Sequence, residues 1–132
     1  MITKALMKAI YTKFKASATL LARVSGRFFF EYAPPGTTLP YIVYAMESNE
    51  PIYYMASSSF ESFDLIFSVY SESSSGVEAV EIAELLAGAF DNCSLTVTGG
   101  TKIDFKRDGA KSDFDADLGV WVHSVFYDVI ID

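Results

Sequence analysis

The chain has 132 residues, 51% hydrophobic and 20% charged, a composition that fits one globular domain and excludes a disordered chain. Its formal charge of −7 is unevenly spread. Residues 1–30 carry Lys4, Lys8, Lys13, Lys15, Arg23 and Arg27 with no acid, so the remainder carries −13, because −7 less +6 is −13. This layout disfavours nucleic acid as the main partner, since phosphate binding needs a net basic face. It suits copies of one protein meeting positive face to negative face, and equally a basic solvated helix on an acidic domain.

Residues 2–15 place Ile2, Ala5, Leu6, Ala9, Ile10 and Phe14 at spacings of three and four, one apolar stripe on a helix. Lys4, Lys8 and Lys15 fall on its other side. This start is basic but has no long apolar run, so it does not read as a secretory signal. No stretch approaches the roughly 18–20 apolar residues of a membrane span. The expectation is a soluble protein made in a cytoplasm. Residues 17–25 read as a connection with room for a short helical turn at Leu20 and Leu21.

Gly26 opens RFFFEYA, which is rich in strand formers, and APPGTTLP at 33–40 stops that strand. PYIVYAME at 40–47 is a second strand, with Pro40 at its start where no ladder donor is lost. SNEP at 48–51 reads as a turn. In SFESFDLIFSVYSE at 59–72, Phe63, Leu65, Phe67 and Val69 alternate with Asp64, Ile66, Ser68 and Tyr70, and the first set is expected to face the core. SESSSG at 71–76 reads as a loop, and Ser75 with Glu78 as a capping box for a helix over 77–90. LTVTG and TKIDFKR form a hairpin around Gly99-Gly100, and DGAKSDFDAD at 108–117 reads as a polar loop. The last strand, LGVWVHSVFYDVIID, is apolar on both faces, which implies burial by its own helices and by a second layer or a neighbouring subunit. The expected fold class is α+β: a mainly antiparallel sheet with two helices packed on one face, in a single domain spanning 1–132.

Chemistry is sparse. His123 is the only histidine and Cys93 the only cysteine, so an internal disulfide and a multi-histidine metal site are both impossible. Neither residue lies in a Gly-rich or strained-turn context that would activate a Cys–His pair. Asp113, Asp115 and Asp117 suggest a calcium loop, but its sixth position is Leu118 and its twelfth Ser124, where glycine and glutamate are needed. Glu78 and Glu81 mark a polar helix face. Gly99-Gly100 lacks the lysine and helix of a phosphate cradle. The expectation is no enzyme, no metal and no cofactor. A small ligand-binding α+β domain is the rival from a different class. It would need a pocket with convergent polar groups.

The order of elements resembles the phage tail-completion family, which includes tail-terminator and tail-to-head joining proteins of long-tailed phages. Four stretches carry the resemblance: ITKALMKAIYTKF; RFFFEYAPPGTTLPYIVYAMES; FDLIFSVYSES leading into GVEAVEIAELLAGAF; and KIDFKRDGAKSDFDADLGVWVHSVFYDVII. PGTTLPYIVY is the most family-like segment. The resemblance implies a ring of identical subunits, usually six, at the head-proximal end of the tail tube. The ring would end tube growth and meet the neck or head-completion proteins. The implied partners are the chain itself, the tail tube protein and a neck protein, with no membrane and no sequence-specific nucleic acid. The implied place is the virion tail or neck, reached from the host cytoplasm. A neck adaptor in the same machine is the alternative. The loops at 48–59 and 108–117 are expected to touch neighbours, through Tyr53, Tyr54, Arg107, Asp113 and Asp115, with Phe114 either an apolar anchor there or a loop residue folding back on its own core.

Overall fold

The computed structural model describes residues 3–53, 59–72, 76–97 and 101–131. Three helices, α1 (Thr3–Ala16), α2 (Ala18–Val24) and α3 (Val77–Phe90), accompany six strands. The strands are β1 (Phe28–Phe30), β2 (Tyr41–Tyr53), β3 (Ser59–Ser71), β4 (Ser94–Val97), β5 (Thr101–Asp115) and β6 (Val120–Ile131). They make one sheet in the order β1-β2-β3-β6-β5-β4, antiparallel except for the β1–β2 pair. The α+β expectation holds. The helix count differs, because the short turn at Leu20–Leu21 is a full α2 that buries Leu20 and Val24. It closes on Ser25 and Gly26 in left-handed conformation, whose N–H groups cap Ala22 and Leu21 carbonyls.

The α1 stripe lands where its spacing puts it, with Leu6, Ile10 and Phe14 fully buried. Alternation does the same for β3, which buries Phe63, Leu65, Phe67 and Val69. Of the last strand's two faces, the one holding Val125, Tyr127 and Val129 meets the core. Stacked and tilted aromatic rings run through an otherwise aliphatic core. Phe14 of α1 stacks on Phe28 at 4.2 Å, Phe67 meets Phe90 of α3 at 4.8 Å, and Phe105 and Tyr127 complete the cluster. Each such ring adds roughly 1.5–3 kcal/mol of burial. Much of the aromatic content is thereby spent on joining helices to sheet.

Two segments read as loops are strand. Residues 48–51 continue β2, whose pairing with β3 runs out to Tyr53 opposite Ser59 after a bulge at Met46/Ser48. Residues 108–115 continue β5, paired with β6 out to Asp115 opposite Val120. The only turn between β5 and β6 is residues 116–119. The capping box is also revised. Ser75 lies outside the described residues, the cap position of α3 is Gly76 at φ +73°, and Glu78 accepts a hydrogen bond from Ser71 Oγ at 2.7 Å. Gly99 and Gly100 likewise lie outside the described residues, though β4 and β5 pair as their hairpin requires.

Candidate functional site

The β5–β6 corner is built from sequence that has no core to face. β4 covers only the first residues of β5, so the outer edge of β5 beyond them is unpaired among the described strands, and residues 106–114 are all exposed. Lys106, Arg107, Asp108, Lys111 and Asp113 line that edge, and a bulge at Arg107/Gly109 interrupts it. Charges and bulges are the usual guards against unwanted strand addition.

At the tip, Asp115 Oδ1 accepts the N–H groups of Asp117 (3.1 Å) and Leu118 (3.2 Å). Gly119, at φ +68°, donates its N–H to the Asp115 carbonyl. That turn lifts Leu118 into solvent at 69% exposure. Phe114 rests one side on Trp121, ring centroids 4.9 Å apart, and leaves about half of its surface free at 51%. Trp121 in turn covers Gly76 at the start of α3, so the tip stands against the end of that helix. Asp113 pairs with Lys111 at 3.4 Å.

The other expected contact residues are dispersed. Arg107 is engaged within the chain: its guanidinium meets Asp91 Oδ2 at 3.3 Å, while Tyr127 donates its hydroxyl to Asp91 Oδ1 at 2.6 Å. Tyr53 ends the β2–β3 ladder, and Tyr54 lies outside the described residues. Phe114 pairs with Trp121, whereas Tyr53 lies beyond the Glu61–Ile131 pair. Ten residues of β6 separate those pairs, about 33 Å of strand, so the two segments sit at opposite ends of the sheet.

A second surface was not singled out from the sequence. Lys4, Met7, Lys8, Tyr11 and Thr12 of α1 face Phe28, Phe30 and Tyr44 across a groove of about 520 Å³. It runs along the β1 edge, at the far side of the sheet from β5. Its walls are apolar and its rim holds two ammonium groups. Burial pushes the Tyr44 hydroxyl up to about 12, so this floor stays uncharged well into the alkaline range. The signal lay in the sequence: basic residues on the outer side of α1 beside an FFF run.

The sheet face without helices carries Tyr41 stacked on Tyr70 at 4.9 Å, the Ser68–Ser124 hydroxyl pair at 3.1 Å, and half-buried Ile66, Val122 and Phe126. At one end Asp64 and Asp128 stand directly opposite each other, near Glu47 and Asp108. Partial burial, then the charges of Asp108 and Asp64, push the Asp128 carboxyl upward.

No reactive pair forms between Cys93 and His123. The Cys93 carbonyl accepts from Phe105, which pairs with Val129, six residues or about 20 Å along β6 from His123. Burial raises the Cys93 thiol, and burial lowers His123, whose Nδ1 bonds the Ser112 hydroxyl. Both shifts favour the neutral forms. Among the described residues no three or more metal-capable side chains are placed so that they could hold a metal ion, and no helix is long and apolar enough to cross a membrane.

Residues 8–132 match the family described as tail completion protein gp17. The chain belongs to that family. Membership makes this tail-completion protein a structural component of a phage-type particle, placed at its tail or neck. No curated protein matches the chain. Among solved structures, a chain from the virion of a native gene transfer agent particle has the same fold. It superposes with a TM-score of 0.80 at 16% identity, over 99% of this chain and 97% of that one.

Proposed function

We propose that this tail-completion protein forms a ring of identical subunits, six by the family resemblance, which caps the head-proximal end of the tail tube and joins tail to head. It acts by shape and contact, without catalysis. Each copy assembles from the host cytoplasm and meets the tail tube protein on one side and a neck protein on the other. The family match over residues 8–132 carries this reading. The disposition of the surface supports it. The exposed apolar side chains Phe114 and Leu118 stand at a sheet corner on a hydrogen-bonded turn, where a neighbour can reach them. The helix-free sheet face holds aromatic and aliphatic side chains of the kind an interface core uses.

The test is the mass of the purified protein by light scattering, alone and with the tail tube protein, followed by cross-linking to tube and neck proteins. A closed oligomer that cross-links to the tube supports the terminator role. Cross-links to the neck protein alone would move the chain to an adaptor position. A monomer with every partner would overturn the ring.

A further inference from the structure

Two surfaces of this chain are complementary to one another and too far apart to meet within one copy. The first is the tip DFDADL at 113–118, with three carboxylates, no base and two exposed apolar side chains, Phe114 and Leu118. The second is the groove between α1 and the β1 edge, apolar inside and rimmed by Lys4 and Lys8. The sheet order β1-β2-β3-β6-β5 separates them by four strand spacings, roughly 19 Å.

We propose, resting on the ring reading above, that the β5–β6 tip of one copy docks in the α1/β1 groove of the next. Phe114 or Leu118 enters among Tyr11, Phe28 and Phe30, and Asp113 and Asp117 face Lys4 and Lys8. Charge complementarity selects this occupant. Residues 1–30 hold no acid, and the tip segment holds no base. The lysine rim also disfavours any basic partner segment. Asp113 is shared with Lys111 at 3.4 Å, an exposed and weak pairing that a second cation can replace. The groove's volume lies within the range of cavities that enclose a small ligand, so one or two apolar side chains fit. The β5 edge itself is guarded by charge and a bulge, so the side chains of the tip, rather than strand addition, make the contact. A contact between different patches on successive copies is heterologous, the kind that generates a closed ring when its rotation closes.

The experiment is a charge swap in the full chain, read by light scattering with and without the tail tube protein, with thermal melts checking that each variant folds. Lys4→Glu with Lys8→Glu, and separately Asp113→Lys with Asp117→Lys, are each expected to shift the oligomer to monomer. The four changes combined are expected to restore it. In a Cys93→Ser background, Tyr11→Cys with Leu118→Cys is expected to give disulfide-linked ladders of copies under oxidation. Assembly of both charge variants at wild-type strength, with no ladder, would overturn the tip-in-groove contact and leave the ring standing. A wild-type chain that stays monomeric with and without the tube protein would overturn both.

Discussion

A few side chains hold together elements that the sequence leaves far apart, and Tyr127 is the clearest. Its ring sits in the aromatic core, while its hydroxyl reaches Asp91 just past the end of α3, where Arg107 of β5 also arrives. Burial, and then the bond to Asp91, push this phenol well above the tyrosine range, and burial takes Tyr44 to about 12. Unfolded tyrosines release their protons near pH 10. Above that pH the native chain holds protons that the unfolded chain has lost, so stability falls as pH rises. Tyr127→Phe removes one of these groups. At pH 7 it is expected to cost about 1–2 kcal/mol, the worth of a hydrogen bond to a partly exposed carboxylate. Above pH 10 its stability should decline less steeply than that of the wild type. Urea midpoints at pH 7 and 10.5 check both signs, and a parallel decline would refute the assignment.

Among the elements, the longer ones with a buried face were legible, whereas the seven-residue α2 and the exposed end of β5 were not. The helix at 77–90 and the buried set of β3 follow from periodicity, because a core enforces spacing on every turn or every second residue. The outer half of β5 has no such constraint. Exposed on both sides and held only by its pairing and side-chain contacts with β6, it accepts DGAKSDFD, which reads as a loop because polarity there reports solvent, not the absence of a strand. The SNEP stretch also reads as a turn, yet Pro51 lies within the β2–β3 ladder. The groove was missed because it joins α1, β1 and β2: its basic and aromatic signals lie in separate stretches, and only the fold brings them together. Junctions between elements yield two predictions. Gly76 starts α3 at φ +73°, and a Cβ there would come within 2.9 Å of the Trp121 ring. Gly76→Ala is expected to cost about 2–3 kcal/mol, from left-handed strain and overpacking together. Trp121 is the sole tryptophan, so its emission should shift as the thermal midpoint falls. Register supplies the other case. Asp64 and Asp128 are cross-strand partners of like charge, and the Asp128 carboxyl is raised. The native chain binds this proton more tightly than the unfolded chain does, so its contribution weakens stability as pH rises past the usual carboxylate range. Asp128→Asn should gain roughly 0.2–1 kcal/mol at pH 7 and nothing at pH 3. A gain of equal size at both pH values would point to packing instead.

For the whole molecule, the uneven charge sets two electrostatic effects against each other. Each copy carries −7, so copies repel one another at long range, and added salt relieves that repulsion. If the helix-free sheet face alone drove association, raising ionic strength would strengthen it, by screening repulsion while leaving apolar burial intact. A contact between an acidic tip and a lysine-rimmed groove behaves in the opposite sense. Its attraction is local and specific, and it fades once the screening length drops from about 10 Å at 0.1 M salt toward about 3 Å at 1 M. The charged groups on both surfaces are exposed, so little protects their pairing from solvent ions. The expected outcome is an oligomer that dissociates as sodium chloride rises from about 0.1 M toward 1 M and reforms on dilution of the salt. The charge-reversed groove variant, already without the attraction, should show the reverse trend and associate slightly more in salt. Sedimentation velocity across that range distinguishes the two. A wild-type oligomer that tightens with salt would assign assembly to the apolar sheet face and leave the charge asymmetry a matter of solubility.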